Sequence, residues 1–169
     1  DGSLTYQPAG GEKEKSSSGA IFSLIANYIL ENDGIVIGAA FDKYNKLKHI
    51  AINNKKDLVI MIDYAHSPES LQNILTAVKQ YTKGRVISVF GCGGDRDKTK
   101  RPIMGEISGR IADFTFVTSD NPRTEDPEQI VKEIEVGIKK TNGNYKVVVD
   151  RTEAIKEAIK MANKLDIIV

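Results

Sequence analysis

Two short polar stretches carry the side chains best suited to recognition chemistry. The first, Asp120-Asn121-Pro122-Arg123, sets a carboxylate, an amide and a guanidinium side by side. An amide both donates and accepts, and a guanidinium grips a carboxylate through two parallel hydrogen bonds. The set therefore suits an amino-acid head group, whose ammonium and carboxylate need opposite partners. An Asx-Pro turn with an exposed Arg fits the same letters. The second stretch is Gly91-Cys92-Gly93-Gly94-Asp95-Arg96-Asp97, followed by Lys98, Lys100 and Arg101. Four cations at the start of a helix make a concavity for a carboxylate or phosphate. A tight turn beside a solvated charge run fits the spacing equally well. It is neither a dinucleotide fingerprint nor a P-loop, because the required Gly and Gly-Lys-Ser/Thr spacings are missing. Asp63 and His66 form a third group, where a carboxylate is placed to accept from sugar hydroxyls, with a helix-capping or core-satisfying role as the alternative for both. Cys92 has no His near it in sequence and reads as a small packing residue. His49 has no evident partner and reads as structural.

Each of these three groups follows an apolar run. Leu58–Ile62 is uninterrupted, as in a strand buried on both faces. Arg85–Phe90 and Asp113–Val117 read as further strands, with a helix over Thr99–Ala112 between them. Ser67-Pro68-Glu69 starts a helix whose apolar face is Leu71, Ile74, Leu75 and Val78. Asp126 caps a helix to Lys140 that opens with Pro127 and Glu128. A strand at Tyr145–Val149, a helix over Thr152–Lys164 and a strand at Ile167–Val169 complete the pattern. Alternating strands and helices predict right-handed crossovers and an α/β, doubly wound, mainly parallel Rossmann-like sheet over residues 55–169. In such a sheet both candidate loops lie at the carboxyl edge, where ligands bind. Upstream, residues 1–18 read as a flexible lead-in. Residues 19–54 read as a helix–strand–strand appendage: a helix over Ala20–Glu31 capped by Ser18, then strands Ile35–Phe41 and Leu47–Ile52.

Bulk properties narrow the function classes. With 24 basic against 23 acidic residues, the net charge of +1 offers no argument for nucleic acid or an anionic membrane. A single cysteine excludes an internal disulfide and a four-cysteine metal or iron–sulfur site. No apolar run approaches the ~18 residues of a membrane span, and nothing resembles a signal peptide, so a cytoplasmic location is expected. The chain starts without Met and stops inside an apolar run, which reads as a segment of something longer.

From about Asn53 to Val169 the chain resembles the carboxyl-terminal domain of MurE-type Mur ligases. The strings that carry the resemblance are Asp63-Tyr64-Ala65-His66-Ser67-Pro68, the run from Phe90 through Gly105, and Thr118 through Glu125. These enzymes use ATP to add the third amino acid to UDP-N-acetylmuramoyl-L-alanyl-D-glutamate in peptidoglycan synthesis. The resemblance implies that Asp120-Asn121-Pro122-Arg123 selects the added amino acid, its Arg form going with meso-diaminopimelate rather than lysine. Arg123 then clamps the distal carboxylate, Asn121 contacts the same end, and Arg96 also binds the amino acid. It implies further that Asp63 meets the ATP ribose and that His66 falls beside the nucleotide. The family's Gly-Lys-Gly-His-Glu motif would follow Val169, and its P-loop, magnesium ligands and UDP-sugar site belong to a central domain not in this chain. The expectation is therefore no catalytic residue and no metal ligand here, and no ligase turnover by this chain alone. ATP and Mg2+ are cofactors of the full-length parent, not tightly bound ligands of this chain. Expected partners are meso-diaminopimelate, ATP and, through the other domains, the UDP-muramoyl dipeptide.

A second resemblance covers residues 15–57. Ser16 through Leu24, Gly38 through Asp42 and Lys48-His49-Ile50 are similar to the flavin-binding part of the beta subunits of deazaflavin-dependent hydrogenases and dehydrogenases. It implies a fusion at the Asn53–Asp57 string, with a flavin-binding redox module or an inert fragment as alternative readings. That family's iron–sulfur cysteines have no equivalents in this stretch.

Overall fold

The computed structural model describes residues 35–41 and 47–52 as strand backbone, and residues 59–169 in full. The expected lead-in, the helix over Ala20–Glu31 with its Ser18 cap, and the side chain of His49 lie outside the described residues. So do the side chains of the strings that resemble the deazaflavin family.

Seven strands and four helices follow in chain order among the described residues: β1 Ile35–Phe41, β2 Leu47–Ile52, β3 Val59–Ile62, α1 Pro68–Tyr81, β4 Val86–Phe90, α2 Lys100–Ile111, β5 Phe114–Val117, α3 Pro127–Ile138, β6 Tyr145–Val147, α4 Arg151–Met161 and β7 Ile167–Ile168. They form one sheet in the order β2-β1-β3-β7-β4-β5-β6. Only the β1–β2 pairing is antiparallel. The two early strands therefore extend the sheet, β1 lying beside β3 in register from Ile35↔Val59 to Gly38↔Ile62.

Side-chain alternation divides the core into two layers. Val86, Phe90 and Val117 pack with Leu71, Leu75 and Val78 of α1, Met104 of α2, and Ile130, Val131, Ile134 and Ile138 of α3. Ile87, Phe116 and Ile168 point the other way and pack on Ala154 and Ala158 of α4. Helices thus cover both faces, the doubly wound arrangement that the alternation predicts. The route from β3 through β6 steps along the sheet with its helices on one face. The chain then returns through α4 on the other face to insert β7 between β3 and β4.

Local chemistry sets the helix boundaries. Ser67 and Ser70 make a reciprocal capping box before α1, with Pro68 in the first turn. Asp126 accepts from the Glu128 N–H to start α3, and Asp150 accepts from the Glu153 N–H to start α4. Two helices end earlier than the apolar pattern alone suggests. Helix α3 stops at Ile138, where Lys140 N–H bonds the Gly137 carbonyl and tightens the last turn. Helix α4 stops at Met161 because Ala162 is extended and Asn163 N–H is drawn to the Asp166 carboxylate at 2.8 Å. That carboxylate, nearly fully buried, also accepts from Arg85 N–H (2.7 Å) and Arg85 Nη2 (2.7 Å), which pins β7 at the middle of the sheet.

Candidate functional site

Adjacent parallel strands β4 and β5 deliver their following loops to the same carboxyl edge, and the two loops are laced together. Gly94 N–H donates to the Asn121 carbonyl at 2.8 Å, and Arg123 Nη1 donates to the Gly94 carbonyl at 2.6 Å. The Asp95 carboxylate accepts from Thr124 Oγ1 (2.7 Å) and Thr124 N–H (3.3 Å). Gly94 is needed for this approach. A Cβ there would lie 2.6 Å from the Pro122 carbonyl carbon and nearer still to its oxygen. Asp95 (φ 51°) and Arg123 (φ 50°) both occupy the left-handed region, which costs an L-residue roughly 1–2 kcal/mol. Such backbone persists only where surrounding contacts over-determine it.

Those contacts come from beneath the loops. Arg101, in the first turn of α2, is fully buried. Its Nη2 meets Glu125 Oε1 at 2.9 Å, its Nη1 meets Glu125 Oε2 at 3.0 Å, and Nη1 also meets Glu133 Oε2 of α3 at 2.8 Å. Glu125 additionally accepts from Asp95 N–H (2.6 Å) and pairs with Lys98 (3.0 Å). Arg101, Lys98 and the Asp95 N–H together hold the Glu125 carboxyl down at about 2. The same pairing pushes the Arg101 guanidinium up, and Arg101 lowers Glu133 as well.

This network assigns partners to three cations of the run. Arg101 is consumed internally, Lys98 is paired with Glu125, and Lys100 Nζ donates to the His66 carbonyl at 2.7 Å. Arg101 and Lys98 are therefore engaged in structural pairing with carboxylates, whereas Lys100 meets a neutral carbonyl and keeps its charge. Arg96 differs: it is exposed and gives one Nη1 hydrogen bond, 3.2 Å, to the Asp95 carbonyl.

The structure brings Arg96 and Arg123 together. A Cβ on Gly93 would lie 3.0 Å from Arg123 Nη1 and 4.0 Å from Arg96 Cγ, so the two arginines flank that residue. Asn121 is exposed beside them, and its Oδ1 accepts from Arg123 N–H at 3.3 Å. Asp120 is exposed too, but its carboxylate is held at 2.9 Å by Arg151 of α4. Asp63 and His66 are exposed at the end of β3. The His66 ring lies 4.9 Å from that of Tyr64, which is 88% exposed. Lys100 ties this third loop to the start of α2, one residue from the Arg101 network. Cys92 is buried with Sγ 3.7 Å from Met104 Sδ, and burial pushes its thiol up to about 11. Among the described residues no group of His, Cys, Asp and Glu is arranged to hold a metal ion, and no helix is long and apolar enough to cross a membrane. An open polar depression lined by Arg110, Lys140, Thr141, Asn142 and Asn144 lies at the opposite, amino-terminal edge of the sheet. Residue types and spacing single out neither the Arg101, Glu125 and Glu133 network nor the separate Arg151–Asp120 pair. Their pairing depends on contacts far apart in the chain.

Known proteins resemble this chain in sequence and fold. The family described as Mur ligase, glutamate ligase domain, matches residues 50–169. The chain is 51% identical over 145 residues to UDP-N-acetylmuramoyl-L-alanyl-D-glutamate–2,6-diaminopimelate ligase 1 of Clostridium acetobutylicum, which is 82% of this chain and 30% of that protein. It is 47% identical over 148 residues to the ligase of the same description from Trichormus variabilis, 88% of this chain and 28% of that protein. A span of that length takes in residues 22–148 wherever it starts, and so reaches into the stretch that resembles the deazaflavin family. A solved structure of a UDP-N-acetylmuramoyl-L-alanyl-D-glutamate–2,6-diaminopimelate ligase superposes with a TM-score of 0.64 at 40% identity, covering 69% of this chain and 24% of that one. The chain spans less than a third of the length of these relatives. With the doubly wound sheet and both of its laced loops inside the matched residues, the chain belongs to the Mur ligase family, through its glutamate ligase domain.

Proposed function

We propose that this chain is the amino-acid-receiving part of an ATP-dependent peptidoglycan ligase that adds meso-diaminopimelate to UDP-N-acetylmuramoyl-L-alanyl-D-glutamate. The observation that carries the reading is the pair of exposed arginines, Arg96 and Arg123, flanking Gly93 above one sheet edge. Arg123 spends one Nη1 hydrogen on the Gly94 carbonyl, which fixes the guanidinium while leaving other N–H groups for a ligand. Diaminopimelate carries a distal carboxylate that lysine lacks. A guanidinium placed for that carboxylate is left without its partner when lysine binds, so the site discriminates by what it fails to satisfy. The Asn121 side-chain amide supplies a neutral donor and acceptor for the ammonium and carboxylate at the same end. Asp120 contributes indirectly, since its bond to Arg151 holds the start of this loop against α4.

For the nucleotide, the residues present fit one edge only. An exposed carboxylate at Asp63 is suited to accept from the ribose hydroxyls, and His66 with Tyr64 offers ring faces beside it. ATP supplies the phosphoryl group that activates the substrate carboxylate in the ligase reaction. The chain has no P-loop lysine for its phosphates, and the described residues hold no metal cluster for Mg2+. This polypeptide on its own is expected to form no tripeptide from ATP, the UDP-muramoyl dipeptide and diaminopimelate. Product formation in that mixture would refute the division of labour.

Calorimetric titration of the chain with meso-diaminopimelate and with L-lysine tests the binding reading. A charge-assisted pair predicts a preference for diaminopimelate of roughly 10- to 100-fold that disappears in Arg123→Ala. Equal affinities, or a preference that survives Arg123→Ala, would overturn it.

A further inference from the structure

We propose that Arg101 and Glu125 are positioning residues for the amino-acid cradle: the buried guanidinium holds one carboxylate, and that carboxylate sets the spacing between the Arg96 and Arg123 loops. The inference rests on the reading of the cradle given above and goes beyond it by assigning what holds it in register.

Arg101 and Asp166 are the fully charged side chains buried among the described residues. Asp166 has an evident structural duty at β7, whereas Arg101 sits directly below the two loops. Burying a guanidinium is costly, and a well-packed apolar side chain of similar volume commonly stabilises a core better. A charge retained at such a place points to specification of geometry rather than to stability. The geometry at Glu125 says what is specified. Its Oε1 takes Arg101 Nη2 and the Asp95 N–H, and its Oε2 takes Arg101 Nη1 and Lys98 Nζ, so each oxygen has two donors. Asp95 immediately precedes Arg96. Glu125 follows Arg123 by two residues, and its own N–H closes the turn onto the Pro122 carbonyl at 2.9 Å. One saturated carboxylate therefore bridges the backbone beside each arginine, and it does so where Asp95 and Arg123 both stand in the left-handed region. Glu133 is a natural control. It shares Arg101 and otherwise hydrogen-bonds Gln129 on its own helix, and it holds no backbone N–H of either loop.

The test compares Glu125→Gln with Glu133→Gln in the full 169-residue chain. Each removes one charge from Arg101, so both are expected to lower the thermal midpoint. Loss of geometry at the ångström level costs orders of magnitude in oriented recognition. The Glu125→Gln preference for meso-diaminopimelate over L-lysine is therefore expected to fall at least about tenfold. Amide exchange at residues 94–95 and 123–125 should speed up in parallel, without ligand. Glu133→Gln should keep both the preference and the slow exchange. If Glu125→Gln does not fold, Glu125→Asp keeps the charge, withdraws the carboxylate by one methylene, and is expected to give the same two readouts. Preference and exchange unchanged in the Glu125 variant, or altered equally in the Glu133 variant, would overturn the assignment. A wild-type chain indifferent to diaminopimelate would instead overturn the binding reading itself, which separates the two failures.

Discussion

Gly94→Ala is the most direct probe of the laced loops. A Cβ at this position would stand 2.6 Å from the Pro122 carbonyl carbon and 3.2 Å from its Cα, where ordinary contact begins near 3.4 Å. Both colliding groups are backbone, so no side chain can rotate away. The Gly94 N–H and C=O are already committed to Asn121 and Arg123, so the loop cannot withdraw without breaking one of them. Overpacking of this kind costs about 3 kcal/mol, the upper end of the usual range. For a chain of this size that is a fall of roughly 6–12 °C in Tm. A stability loss alone does not locate the effect, so Gly84→Ala serves as the comparison. Its Cβ would meet the Leu165 carbonyl carbon at 2.6 Å and Asp166 Oδ1 at 2.7 Å, a similar clash at the far end of β4. Thermal melts and paired titrations with meso-diaminopimelate and L-lysine read both variants. The expected outcome is comparable destabilisation, with the preference lost only in Gly94→Ala. A Gly94→Ala chain that melts within about 2 °C of wild type, or keeps its preference, would refute the close-approach reasoning.

Three further outcomes follow from the same contacts. Glu125 titrates at about 2 in the folded chain against an ordinary 4.5, so the unfolded state takes up its proton first. Its contribution to stability is present above about pH 4.5 and is lost as pH falls toward 2. Urea unfolding between pH 6 and pH 2 should show a flatter acid limb in Glu125→Gln, and a pH-independent difference from wild type would refute it. Asp166→Ala leaves the Arg85 and Asn163 N–H groups without their acceptor and frees β7. It should cost about 2–3 kcal/mol, below the full cost of breaking a buried pair because Arg85 is 38% exposed and screened by solvent. An unchanged urea midpoint would contradict that. Cys92, buried and with its thiol pushed up to about 11, should react with a disulfide reagent on the order of a hundredfold more slowly than a free thiol at pH 8. Labelling at the free-thiol rate in the native chain would show that the β4 loop opens.

The order of elements follows from local rules. Ser67-Pro68 and Asp126-Pro127 mark helix starts because a side-chain oxygen and a fixed φ act within one turn. Leu71, Leu75 and Val78 mark a buried face because helical spacing brings them to one side. The meeting of the two loops is likewise readable from consecutive right-handed crossovers, which place β5 beside β4. The fate of the cations is not. Lys98, Lys100 and Arg101 look alike as letters, yet Arg101 finds acceptors 24 and 32 residues away and disappears into the core. Asp120 likewise finds Arg151, 31 residues on. No local pattern announces such pairings, because they exist only once α2, α3 and α4 are packed. The left-handed backbone at Asp95 and Arg123 is hidden for a related reason: neither is a glycine, and tertiary contacts rather than intrinsic preference hold them there. Nor does the sequence order of strands reveal that β7, the last in the chain, sits between β3 and β4.

The internal pairing also sets the electrostatics of the cradle. Glu125 neutralises charge from Lys98 and Arg101, Glu133 shares Arg101, and Asp120 is matched by Arg151. What remains beside Gly93 is the pair of guanidiniums with N–H groups still uncommitted, Arg96 and Arg123. Lys100, bonded only to a carbonyl, and the exposed Asp95 and Asp97 keep their charges nearby, but the two guanidiniums beside Gly93 are the arginines left with donors to offer a ligand. Attraction of a carboxylate to exposed cations is screened over about 10 Å at 0.1 M salt, whereas the buried pairs below are screened far less. Affinity for diaminopimelate should therefore fall with ionic strength while thermal stability barely moves. Calorimetry and melting at 0.05 M and 0.5 M salt separate the two. If affinity holds while the fold melts earlier, the charges that matter for binding are the buried ones, and the division between supporting and receiving residues is wrong.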